Sequence, residues 1–150
     1  TDEKFLSELQ KETTTATSSQ VKEAWNAMLL DLPKERISLL EKLKQDFPIF
    51  LLSNTNAIHI SAIKQSLGES AYTNFYNLFN KVYYSHEIGF RKPNKEAFQL
   101  ILNNHNLKAH EILFIDDSMQ HIKAAKKLGF KTHHLKYEEE ITALFADRVQ

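Results

Sequence analysis

Pro48-Ile49-Phe50-Leu51-Leu52-Ser53-Asn54-Thr55-Asn56 is the stretch on which the fold turns. A short unbroken apolar run with β-favouring members reads as a strand covered on both faces, the pattern of a parallel sheet. It ends at once in four small polar residues. Downstream, Ala57 to Leu67 has helical spacing and stops at Gly68. Val82-Tyr83-Tyr84 is a second strand, and a helix from Asn94 to Leu102 lies behind Pro93. Ile112-Leu113-Phe114-Ile115 is a third strand, ending at Asp116-Asp117, with a helix from Met119 to Leu128 that stops at Gly129. Lys131 to Leu135 reads as a fourth strand and Glu138 to Phe145 as a last helix. Strand alternating with helix over short connections predicts an α/β fold with a parallel sheet and right-handed crossovers.

Upstream of Pro48 the period is helical. Pro33 opens a helix whose Ile37, Leu39, Leu40 and Leu43 form an apolar face. Before it, Val21, Ala24, Trp25, Met28 and Leu29 form one stripe of a helix from Gln20 to Leu30, with Ser18 and Ser19 as candidate caps. Trp25 and Met28 are expected to pack into the core. Phe5, Leu6 and Leu9 have helical spacing and lead into a Thr/Ser run from Thr13 to Ser19.

Composition narrows the function classes. In the 150 residues, 42% are hydrophobic and 25% charged, which suits a packed globular domain. Lys plus Arg equals Asp plus Glu at 19 each, and a neutral chain with no basic run is a poor candidate for nucleic acid, whose backbone demands a concentrated positive face. No apolar run approaches the roughly 20 residues that span a bilayer, and no membrane role is expected. Cysteine is absent, which excludes disulfides and thiolate metal sites and is compatible with the cytoplasmic location we expect.

Open parallel sheets bind ligands at the carboxyl ends of their strands. Here those ends carry Ser53-Asn54 and Asp116-Asp117, and the second strand is followed by Gly89-Phe90-Arg91-Lys92-Pro93. A hydroxyl, a lysine and two carboxylates can therefore converge on one edge. Ser-Asn after a strand is commonly a cap and turn, and Asp117 has a plain alternative as a helix cap. Adjacent carboxylates repel unless a cation lies between them, and magnesium, an oxygen-seeking ion often shared with phosphate, is the natural one. The seven histidines show no ligand spacing: His133 and His134 are strand neighbours facing opposite sides, and His86, His105 and His110 are unrelated by helical period.

Hydroxyl, then lysine, then acidic pair, each after its own strand, resembles the second, third and fourth motifs of the haloacid dehalogenase superfamily. The segments are Phe50-Leu51-Leu52-Ser53-Asn54, Gly89-Phe90-Arg91-Lys92-Pro93 and Phe114-Ile115-Asp116-Asp117-Ser118. Flanks agree as well: Tyr84-Ser85-His86-Glu87 precedes the lysine, and Ala124-Ala125 with Leu128-Gly129 follows the carboxylates. The resemblance runs from about Trp25 to Leu135. It implies a Rossmann-like parallel sheet flanked by helices (33–150), preceded in 1–32 by the later helices of an inserted cap. It further implies a phosphohydrolase acting on a small phosphorylated metabolite. The Ser53 hydroxyl and Asn54 N–H would hold phosphoryl oxygens, and Lys92 would neutralise charge shared by nucleophile and phosphate. Asp116 would bind Mg2+, and Asp117 would assist through water or by orienting Lys92. His121 stands where relatives often have Asn and is given no role beyond a structural one.

The superfamily's nucleophile is the first aspartate of an Asp-x-Asp motif, on a strand between those ending here at Ser53 and Asp116. This sequence contains no Asp-x-Asp, and nothing before Pro48 reads as a buried strand. The resemblance therefore implies a longer natural protein, with this chain beginning inside the cap and inactive by itself. A receiver domain has similar residues in another order, acidic pair first and lysine last. A dehalogenase proper needs no metal, which leaves the acidic pair unexplained. A non-catalytic relative that binds or scaffolds is the alternative from another class.

Overall fold

The computed structural model of the chain describes residues 2–13 and 15–146; Thr14 of the Thr/Ser run and the outermost residues of the two expected segments lie outside them. The first helices are α1 (Asp2–Lys11), α2 (Ser18–Asn26) and α3 (Lys34–Asp46). There follow β1 (Phe50–Ser53), α4 (Ala57–Leu67), α5 (Glu69–Tyr76), β2 (Lys81–Tyr84), α6 (Ser85–Ile88) and α7 (Lys95–His105). A single 3₁₀ turn (Ala109–Glu111) leads to β3 (Leu113–Asp116), α8 (Met119–Lys127), β4 (Lys131–His134) and α9 (Ile141–Leu144).

All described strand pairing is parallel. β1 pairs with β2, Leu51 opposite Val82, and β3 pairs with β4, Phe114 opposite Thr132. Among the described residues no ladder joins the two pairs. Each strand of a two-stranded pair keeps an unpaired edge, so Phe50, Leu51, Phe114 and Ile115 are half-buried where the sequence pattern predicts full burial. What unites the pairs is α7. Its Ala97, Phe98 and Ile101 are buried in one cluster with Leu52 and Tyr83 of the first pair, and with Ala125 and Phe130 beside the second. Phe98 is fully enclosed, its ring 5.2 Å from that of Phe114 and 5.8 Å from that of Phe130, both edge-on. Edge-to-face contact of this kind adds to the area term for each ring.

Several expectations from sequence need correction. α2 ends at Asn26, four residues before the expected limit, so Met28 lies past the helix and is 59% exposed instead of packed in the core. Its N-cap is Thr17, not Ser18 or Ser19: Gln20 N–H donates to the Thr17 hydroxyl at 3.3 Å, and Gln20 Oε1 accepts from Thr17 N–H at 2.8 Å. That reciprocal capping box satisfies two helix-end donors that a serine inside the helix cannot reach. α9 is the short stretch Ile141–Leu144, where a helix from 138 was expected. α5 was missed, although Tyr72, Phe75 and Tyr76 have helical spacing. Gly68, at φ 80°, closes α4 and starts α5 without a linker, a backbone turn that favours glycine.

α1 and α2 pack together, and α2 in turn meets α4. The Trp25 ring sits between Phe5, at 4.9 Å, and His59, at 5.4 Å. The His59 Nε2–H donates to the Trp25 carbonyl at 3.2 Å, because a carbonyl can only accept. No helix among the described residues is long and apolar enough to cross a membrane.

Candidate active site

β1 and β3 both end in polar residues at their carboxyl ends, and the loop between α6 and α7 delivers a lysine to the same place. Gly89 makes that possible: at φ 73° it ends α6 in the left-handed region and turns the chain toward Lys92. Lys92 is 8% exposed, and its ammonium donates to Asp116 Oδ2 at 2.7 Å. The same nitrogen lies 5.7 Å from the centre of the Phe114 ring, close enough for cation–π attraction.

Asp116 is held by three donors. Beyond Lys92, its Oδ1 accepts from the Ser118 N–H at 2.8 Å and from His121 Nδ1 at 2.9 Å. Burial pushes the Asp116 carboxyl up. The bond and charge of Lys92, with the Ser118 N–H and His121, outweigh it and hold the group below the ordinary carboxylate range. The start of α8 adds a favourable helix-dipole field. A carboxyl whose folded pKa is depressed contributes stability that is present above its unfolded value, about 3.9, and is lost as pH falls through the folded value. Urea midpoints should therefore decline as pH drops below about 4. Asp116→Asn should decline less over the same range; equal slopes for both proteins sink this assignment.

Asn54 acts through its side chain. Its Nδ2 donates to the Lys92 carbonyl at 2.8 Å, and its Oδ1 accepts from the Lys92 N–H at 2.9 Å. The amide thus clamps both backbone groups of Lys92, as a neighbouring strand would. Ser85 does the equivalent one residue along: Thr55 N–H donates to its hydroxyl at 3.0 Å, and that hydroxyl donates to the Thr55 carbonyl at 2.9 Å. The loop after β1 is in this way tied both to the start of α6 and to the loop that follows α6.

The Ser53 hydroxyl makes no hydrogen bond among the described residues and ends β1 half-buried. The Asp117 side chain is exposed, while its carbonyl accepts from His134 Nε2 at 3.0 Å. His133 turns elsewhere and pairs with Glu139 at 2.9 Å. Among the described residues no group of three or more His, Asp or Glu side chains is placed to hold a metal. Asp116 and Asp117 are the residues that would hold part of a magnesium shell, and an ionised, hydrogen-bonded oxygen ligand is what that ion prefers. The donor set fits magnesium, whose remaining positions are commonly water and substrate phosphate.

A family model described as haloacid dehalogenase-like hydrolase matches residues 2–129. The chain belongs to this family. A D-ribitol-5-phosphate phosphatase of Bacteroides thetaiotaomicron is 28% identical over 116 residues, covering 77% of this chain and 56% of that protein. A crystal structure of a haloacid dehalogenase family enzyme from Bacteroides thetaiotaomicron, in complex with magnesium and inorganic phosphate, is 30% identical, with TM-score 0.84. That match covers 97% of this chain and 74% of the solved one. A predicted haloacid dehalogenase-like hydrolase from Porphyromonas gingivalis is 31% identical, with TM-score 0.84, covering 100% of this chain and 75% of that one. The chain spans about half the length of the curated phosphatase it matches, 56%.

Three site features went unread in the sequence. His121, set aside as structural, contacts Asp116 directly; its place in the first turn of α8 was the available signal. The Asn54 clamp on the Lys92 backbone has no linear signature, since 38 residues separate the partners. Ser85 was quoted only as a flank of the lysine motif, although its hydroxyl fastens the loop after β1.

Proposed function

We propose that the protein is a magnesium-dependent phosphohydrolase of a small phosphorylated metabolite, with a carboxylate nucleophile that these 150 residues do not include. The observation that carries this reading is the buried Lys92–Asp116 pair at 2.7 Å, tied to the end of β1 by the Asn54 side chain. A buried cation next to a buried carboxylate, at a sheet edge lined with donors, is suited to a trigonal phosphoryl group. The Ser53 hydroxyl and the Asn54 N–H hold phosphoryl oxygens. Lys92 neutralises charge that accumulates as nucleophile and leaving oxygen share the phosphorus, an electrostatic stabilisation largest in the transition state. Asp116 and Asp117 would hold magnesium, which supplies further neutralisation of the phosphate when bound.

In the covalent step an aspartate oxygen bonds to phosphorus, the P–O bond to the substrate alcohol breaks, and that alcohol takes up a proton. Water then attacks the aspartyl-phosphate, releasing inorganic phosphate and restoring the carboxylate. The open edges of β1 and β3 favour a strand between them as the carrier of that aspartate, within an Asp-x-Asp motif. The α1–α2 pair, seated on α4, fits the remnant of a helical cap over 1–32, with the sheet core in 33–150. The relative that acts on D-ribitol-5-phosphate supports a small polyol or sugar phosphate as substrate class. A cytoplasmic location suits that chemistry.

A second reading has one observation in its favour: the sequence contains no Asp-x-Asp, as a non-catalytic binding or scaffold protein would not need one. The two separate in one assay. A generic phosphate ester and a panel of sugar phosphates are offered, with and without magnesium, to this chain and to the product of the uninterrupted reading frame. We expect turnover only by the longer protein, only with magnesium, and a loss of at least about 100-fold on Asp116→Ala. Turnover by the 150-residue chain sinks the missing-nucleophile claim. Silence from both proteins moves the binding reading ahead.

A further inference from the structure

We infer that His121 is a positioning residue that fixes how Asp116 presents its carboxylate to a divalent cation. The inference rests on the phosphohydrolase reading above and concerns residues of this chain alone. Asp116 Oδ1 accepts from the Ser118 N–H at 2.8 Å and from His121 Nδ1 at 2.9 Å, while among the described residues Oδ2 accepts from Lys92 alone. A carboxylate oxygen has two lone-pair directions, so Oδ1 is saturated and Oδ2 keeps one open. Both side chains are withdrawn from solvent, His121 being 12% and Asp116 6% exposed, so water is a poor substitute for either donor.

The nitrogen facing Asp116 must carry hydrogen, because an ionised carboxylate only accepts. His121 therefore donates whatever the state of its far nitrogen. Ser118 belongs to the turn between β3 and α8, whereas His121 reaches back from the first turn of α8 itself. One backbone donor and one side-chain donor, anchored at different points of the chain and converging on one oxygen, stop the carboxyl from rotating about its Cβ–Cγ bond. With Oδ1 fixed, Oδ2 is the oxygen with room for a metal. Partners that orient a metal ligand in this way typically contribute 10–100-fold in metal affinity.

The test uses three variants of the full chain, with magnesium affinity read by calorimetry and folding by urea melts without metal. His121→Asn keeps a donor near the Nδ1 position; His121→Leu keeps bulk without a donor; His121→Ala keeps neither. We expect the Leu and Ala variants to weaken magnesium binding about 10–100-fold and the Asn variant to stay within about threefold of the parent. A residue that merely anchors α8 gives the opposite split: altered melts in Leu and Ala with magnesium affinity unchanged, which overturns the inference. Equal loss in Asn and Leu overturns it too. Parent binding that Asp116→Ala abolishes, with Leu unaffected, removes the His121 role and leaves the phosphohydrolase reading standing. A parent with no Asp116-dependent magnesium binding removes both.

Discussion

Replacing Lys92 by Met should lower kcat/KM of the active protein by about 10²–10³-fold while tightening its grip on magnesium. Methionine keeps an unbranched stem and removes the charge, with it the ammonium that faces the Phe114 ring. The activity loss follows from what the ammonium neutralises: negative charge that is greatest at the transition state, in a site from which water is largely excluded. The gain in metal affinity follows from the same nitrogen seen from Asp116. At 2.7 Å from Oδ2, Lys92 competes with any divalent cation for that oxygen. Like charges sharing one ligand repel, and removing one relieves the other. Steady-state kinetics and a magnesium titration on the same variant check both halves. Activity within tenfold of the parent sinks the electrostatic role. A fall in magnesium affinity shows that Lys92 organises the metal site instead of competing for it.

The largest stability loss should come from Phe98→Ala, about 3–5 kcal/mol by denaturant unfolding. Phe98 is fully enclosed and touches Phe114 and Phe130 edge-on. Truncation opens a ring-sized void in the cluster of described residues that packs the two strand pairs together, and no ladder among the described residues compensates. Part of the loss should reach the site, because Phe114, which packs against Phe98, is also the ring beneath Lys92. Phe98→Leu fills much of the void and should cost markedly less. Equal losses for the two variants exclude a cavity as the cause.

Strands, their order of appearance and the candidate site residues that follow them were legible because each is encoded locally. An apolar run of four or five, cut off by polar residues, identifies a covered strand wherever it occurs. Ser53 and Asp116 close such runs and Lys92 comes in the loop behind the helix that follows the next, so the three together could be named as candidates although each alone has a plain structural use. Burial was harder to foresee. Leu51 and Ile115 have the side chains of a fully covered strand, yet cover depends on what lies beside the strand, and pairing in twos leaves an edge unpaired. Met28 misled for a different reason: the apolar stripe continues past Asn26 while the helix does not. His121, Asn54 and Ser85 were opaque because hydrogen bonding between segments leaves no period in a linear sequence. Nothing about an asparagine announces that its amide will grip the backbone of a residue 38 positions away.

That grip separates two inheritances. Asn54 grasps the main chain of Lys92 and ignores what hangs from it, so a codon change at position 92 alters the charge in the pocket while the cradle keeps its shape. A change at position 54 does the reverse, loosening the frame and leaving the charge in place. A lineage can thus retune its electrostatics by single steps without first rebuilding its architecture.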